Sequence, residues 1–261
     1  MACAIARAIH DGDRVGIGVN SPIPAAGVLL AQRSHAPRLR FRLPGVDGAV
    51  PFMGSKEFFD FAQRGELDVF FLSGIQIDMG GRINLHVLGD YGRPRRRFPG
   101  AFGSAVLYPL VPRVILFRTE HTPRVFVPCV DFVTASGSPD RVVTPLAVLG
   151  FDPTAARLVL DSYHRGQSVE TVQAATGFEL TSSSDVRETP EPTAEEVRIL
   201  RDEVYPLLAG VYPGYVDRMR SAAVTRGRAT GPSGPEPSPC YRKSGSTVTR
   251  HCRSGPAITF R

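Results

Sequence analysis

At 261 residues and 42% hydrophobic content the chain can bury one large core, and its formal charge of +6 invites a nucleic-acid or membrane partner. The charge distribution removes that reading. Residues 218–261 hold nine Lys/Arg against Glu236 alone, so the totals of 31 basic and 25 acidic residues leave 22 against 24 in residues 1–217.

The first ten residues are interrupted by Arg7 and His10 and followed by Asp11-Gly12-Asp13, which suits an amphipathic helix over Cys3–His10 rather than a signal segment. No apolar run reaches the roughly 18 residues of a membrane span. A cytoplasmic chain is therefore expected, with neither membrane nor nucleic acid as partner. The cysteines, Cys3, Cys129, Cys240 and Cys252, and the scattered histidines show no metal spacing. Cys129, in an apolar stretch, reads as a buried inert thiol.

Arg14–Val19 reads as a strand, Ala25–Gln32 as a helix and Leu39–Leu43 as a strand. Ser55–Arg64 puts Phe58, Phe59 and Ala62 on one side of a helix and stops at Gly65. Leu67–Leu72 is a continuous apolar strand of the kind covered on both faces. This alternation predicts an α/β domain: an open, mainly parallel sheet with flanking helices. Further strands are expected at Val114–Arg118, Arg124–Val127, Val130–Thr134, Val142–Leu149 and Arg157–Leu160. Ser168 caps a helix that stops at Gly177, and Thr193 with Glu196 forms a capping box for another. Beyond residue 217 Gly, Ser, Pro, Thr and Arg dominate, so residues 218–261 read as a disordered basic tail behind a domain of residues 1–217.

Glycine-rich turns follow the buried strand: Ser73-Gly74-Ile75-Gln76-Ile77-Asp78, then Gly80-Gly81-Arg82-Ile83-Asn84, Gly89-Asp90-Tyr91 and Pro99-Gly100-Ala101-Phe102-Gly103-Ser104. Loops at the carboxyl ends of parallel strands are where open α/β sheets bind ligands. Bare glycines there let backbone N–H groups reach an acyl oxygen or phosphate.

These ordered motifs, with Gly89-Asp-Tyr-Gly-Arg-Pro94, resemble the beta subunit of family I coenzyme A transferases of the glutaconate type. Arg124-Val-Phe-Val127, Val130-Asp-Phe-Val-Thr134 and Thr176-Gly-Phe-Glu-Leu180 extend the likeness to roughly residues 2–207. The resemblance implies a heteromeric enzyme in which this chain pairs with an alpha-type subunit. Its substrates would be an acyl-CoA and a carboxylic acid, with the coenzyme A thioester as substrate rather than a permanent cofactor. It further implies that Ser73, Gly74, Ile75, Gln76, Gly100, Gly103 and Ser104 line the acyl and CoA site. The family reaction uses a glutamate nucleophile ending the strand before a Ser-Gly pair. Here that slot holds Leu43, with Pro44 in place of the serine, so no catalytic residue is assigned. Asp47 and Glu120, the latter beside His121, are the substitutes to weigh. Two alternatives stay open: a glutamate-independent acyl-CoA hydrolase or ring-cleaving relative, and a non-catalytic subunit that stabilises an alpha chain.

Overall fold

The computed structural model describes residues 1–18, 20–43, 45, 46, 49 and 54–228. The chain divides into two units, Met1–Arg218 and Met219–Arg261; the first carries every element below except the end of the last helix. It opens with α1 (Ala2–Ala6), β1 (Arg14–Gly16), α2 (Pro22–Ser34), β2 (Arg40–Arg42), α3 (Ser55–Gln63) and β3 (Val69–Leu72). Four short strands come next, β4 (Gln76–Asp78), β5 (Ile83–Asn84), β6 (Val87–Gly89) and β7 (Pro94–Arg97), then α4 (Ser104–Leu110). The second half holds β8 (Arg113–Phe117), β9 (Phe126–Val127), β10 (Arg141–Val143), β11 (Ala147–Asp152) and β12 (Arg157–Tyr163). It continues with α5 (Val169–Ala174), β13 (Thr181–Glu188), α6 (Ala194–Ile199), a π-helical turn at Leu200–Val204, α7 (Tyr205–Leu208) and α8 (Pro213–Arg228).

Eight strands form one sheet in the order β13-β12-β11-β10-β8-β3-β1-β2. Five of its seven pairings are parallel, and only the two made by β11 are antiparallel. The expected α/β class is therefore observed. All four residues of β3 are buried, as a central strand covered on both faces requires. Its side chains alternate. Phe70 and Leu72 join Phe58 and Ala62 of α3, Leu107 and Tyr108 of α4 and Val172 of α5 in one core cluster. Val69 and Phe71 point to the opposite face. Two small sheets, β5-β4-β9 and β6-β7, stand apart from the main one.

Several expectations are corrected. Val142–Leu149 is two antiparallel strands, β10 and β11. Pro145 cannot donate to a ladder, and the Thr144 hydroxyl accepts the Leu146 and Ala147 N–H groups inside the turn. Val130–Thr134 forms no strand; its backbone is committed one group at a time, Asp131 N to the Gln76 side chain and Thr134 N to Ile83 O. Cys129 is half-buried on this irregular stretch rather than buried in a strand. Residues 218–228 are helical in α8 rather than disordered, and residues 229–261 lie outside the described residues.

Candidate active site

The chain leaves β1 through α2 to reach β2 on one side, then returns through α3 to β3 on the other. Strand order thus reverses between β1 and β3. In open parallel sheets the crevice outside the carboxyl ends at such a point is the ligand position. Gly16 ends β1 there; an added Cβ would stand 2.7 Å from the Phe58 ring. Across the crevice, Ser73 follows β3 and is half-buried.

Gly74 is buried, and a Cβ on it would lie 2.5 Å from Gln76 O and 3.2 Å from Ile83 Cβ. Glycine is needed at that position so that the backbone can pass β5, where Ile75 N donates to Asn84 O at 2.8 Å. Gln76, expected to line the site, instead turns its amide oxygen into the protein. It accepts from Asn84 Nδ2 at 2.7 Å and from Asp131 N at 3.0 Å. Asn84 is fully buried; its Nδ2 also reaches Val87 O, and its Oδ1 accepts from His86 N and Val87 N. This latch shapes the floor of the site. Asp78, also fully buried, performs the same service for the next turn, accepting from Gly80 N and Arg82 N while its other oxygen meets Arg82 Nε at 2.7 Å. Burial pushes its carboxyl above the ordinary aspartate value, and Arg82 opposes that push.

Gly100 has φ +99° and packs on His86, whose Nε2 would lie 3.3 Å from an added Cβ. Gly103, at φ +67°, precedes α4 and lies so close to Phe59 that a Cβ would stand 2.2 Å from the ring. The Ser104 hydroxyl is buried and donates to Ala101 O at 2.6 Å. It therefore holds the loop closed. The neighbouring Phe102, with φ +24°, is 64% exposed, and a non-glycine residue there marks stored strain beside the loop.

Sequence reasoning missed His86, Thr134 and Asp131. His86 Nδ1 pairs with Thr134 Oγ1 at 2.8 Å, and Thr134 also accepts Leu85 N. The Asp131 carboxylate accepts Gly89 N at 2.7 Å. No periodicity links residues 84–89 to 131–134; the Gln76, Asp131, Phe132 and Thr134 side chains join them.

Leu43 is a core side chain, 2% exposed, directly after β2. Asp47 lies outside the described residues. Glu120 and His121 are neighbours in sequence but form no acid–base pair. Glu120 is exposed and accepts from Thr122 Oγ1, whereas His121 points inward between Thr144 Oγ1 (2.8 Å) and Thr176 Oγ1 (3.0 Å). Burial lowers its pKa to about 4. Thr176 donates its hydroxyl proton to Val172 O and Thr144 donates its own to Ala147 O, so each threonine oxygen also meets one ring nitrogen. Among the described residues no cluster of His, Cys, Asp or Glu could hold a metal ion, and no helix is long and apolar enough to cross a membrane.

The family model described as coenzyme A transferase matches residues 47–175. The B-type chain of glutaconate CoA-transferase from Acidaminococcus fermentans is 27% identical, over 78% of this chain and 91% of that protein. The cholesterol ring-cleaving hydrolase IpdB subunit of Rhodococcus jostii is 30% identical, over 62% of this chain and 67% of its own length. Among solved structures, the decarboxylase AibA/AibB superposes with a TM-score of 0.71 at 27% identity, covering 77% of this chain and 91% of that one.

Proposed function

Because this chain belongs to the coenzyme A transferase family, we propose that it is the beta-type subunit of a two-chain cytoplasmic enzyme acting on an acyl-CoA and a carboxylic acid. Residues 1–217 form the working domain, and residues 218–261 are an appendage to it. The observation that carries this reading is the position of Ser73–Ile75 at the switch point, tied through Gln76 and Asn84 to the loop that sets His86 against Gly100. A thioester carbonyl that is attacked develops negative charge on oxygen, and backbone N–H groups of glycine loops are the donors suited to it. The glutaconate CoA-transferase relative is by name one of that enzyme's subunits, and the AibA/AibB decarboxylase has two named chains, which supports an alpha-type partner here. Co-expression with an alpha-type chain should give a stable complex that exchanges CoA between a thioester and a free acid. A chain that co-purifies with no alpha-type partner would overturn the reading.

A second reading is favoured by Leu43. A buried leucine cannot form an acyl-enzyme bond, and a relative at 30% identity is named a hydrolase subunit. In this reading water replaces the carboxylate nucleophile and adds across the bond that breaks, either the thioester or a carbon–carbon bond beside a carbonyl. Hydroxylamine treatment during turnover separates the two: a hydroxamate on this chain requires a carboxylate nucleophile here, and its absence with thioester consumption supports the second reading.

A further inference from the structure

The β6–β7 hairpin carries a concentration of positive charge that the catalytic argument does not use. Arg93, Arg95, Arg96 and Arg97 fall within five positions, and all four are exposed. The nearby carboxylates are largely committed. Asp90 Oδ1 accepts Gly92 N and Arg93 N. Asp131 Oδ2 accepts Gly89 N and meets Arg95 only at 3.7 Å. Arg96 lies 5.0 Å over the Phe98 ring, and Arg97 lies 5.0 Å over Tyr91, which in turn stacks on Phe132 at 4.9 Å. Among the described residues neither Arg96 nor Arg97 has a carboxylate partner.

We propose that β7 is the phosphate-binding edge for the nucleotide end of coenzyme A, with Arg95, Arg96 and Arg97 as its anion contacts; this rests on the acyl-CoA reading above. A guanidinium stacks by its face and donates by its edge. The rings under Arg96 and Arg97 therefore hold the two groups in place; Arg97 Nη2 also donates to Tyr91 O at 3.0 Å, and the other N–H groups of the pair remain for an anion. Bidentate N–H···O contacts to phosphate are the interaction such edges are shaped for. Among the described residues β7 pairs with β6 alone, and alternate side chains point to opposite faces of the hairpin. Coenzyme A presents a 5′-diphosphate and a 3′-phosphate on either side of one ribose, an anion compact enough for both faces of a four-residue strand. The patch is also joined to the acyl loops. Its inner strand begins at Val87, bonded to Asn84, and its outer strand ends just before Gly100, which packs on His86. An extended polyanion fits less well, because residues 1–217 carry two more acidic than basic residues.

The test uses the full chain in complex with its alpha-type partner and calorimetric titration with coenzyme A, dephospho-CoA and pantetheine. Wild type should bind them in that descending order, with added salt weakening coenzyme A far more than pantetheine. R96Q/R97Q should lose about tenfold or more in coenzyme A affinity and leave pantetheine unchanged. R124Q, which removes an exposed arginine elsewhere, should change neither. Equal coenzyme A affinity in wild type and R96Q/R97Q overturns the proposal, as does a parallel loss for pantetheine. If R96Q/R97Q holds the alpha-type chain more weakly but the complex keeps its coenzyme A affinity, the arginines serve an acidic protein surface and the proposal falls. If wild type binds coenzyme A and pantetheine equally well, only the hairpin assignment fails. If it binds neither, the acyl-CoA reading fails and takes the hairpin with it.

Discussion

At the scale of single residues, chemistry here follows burial more than identity. His121 sits beside an acid in sequence, yet its ring is 6% exposed and both nitrogens meet threonine hydroxyls. Its pKa is lowered to about 4 by burial, below an unfolded value of about 6.5. The unfolded chain therefore takes up a proton before the folded one does, and stability falls as pH drops from about 6.5 towards 4. The full difference is about 3 kcal/mol. Urea titrations of wild type and H121Q across this range should show the wild-type midpoint falling more steeply with acid. Parallel pH profiles would mean that His121 titrates in the folded chain as it does in the unfolded one. Gln76 and Ser104 teach a related lesson: both stand in the motif loops, but their polar atoms close those loops. Their positions were legible in the sequence, while their roles depended on which acceptor lay within about 3 Å.

At the scale of elements, periodicity located the apolar strands and helices and missed those whose signal lies elsewhere. β3 is as expected because four consecutive apolar residues have no other low-cost place than a covered strand. β13, mostly exposed and rich in serine and threonine, has no apolar pattern and is held by pairing with β12. α4 carries Pro109 in its last turn, and its exposed side includes Phe102 just before it, Val106 and Leu110; neither a breaker nor an all-apolar stretch reads as a surface helix. The capping box of α6 needed only local spacing and is present with both reciprocal bonds. Gly103 at the start of α4 offers a test. In G103A a left-handed φ of +67° would be combined with a Cβ 2.2 Å from Phe59, a cost of about 2 kcal/mol or more. Chemical denaturation should show that loss, and G103A/F59L should recover part of it. A G103A chain as stable as wild type would mean that the α4 entrance is not packed on Phe59.

At the scale of the molecule, the two ends of the first unit are tied together. Arg7, just after α1, donates from Nε and Nη2 to the two oxygens of Glu196 at 3.0 and 2.7 Å, and to Pro190 O and Glu191 O. Glu196 also completes the capping box through Thr193 N. Burial raises the Glu196 pKa, and hydrogen bonds from Arg7 and Thr193 outweigh it, leaving the carboxyl below its ordinary value. The clamp's contribution is therefore present above about pH 4.5 and lost as pH falls through the folded value. R7A should cost about 2 kcal/mol near neutral pH, measured by urea unfolding, with the difference from wild type shrinking below pH 4. An equal loss at both pH values would point to packing rather than charge.

The sequence by itself determined the α/β class, the order of its glycine loops and the family they resemble. Each is carried by local spacing or by residue identity, which the chain holds before it folds. Only the tertiary structure decided that Gln76 latches Asn84 and Asp131, that His121 is sealed away from Glu120, and that His86 stands against Gly100. Those contacts join residues from eight to fifty-five positions apart in a low-dielectric interior, where each buried polar group must find a partner. Which partner it finds is set by the packing of the sheet and its loops.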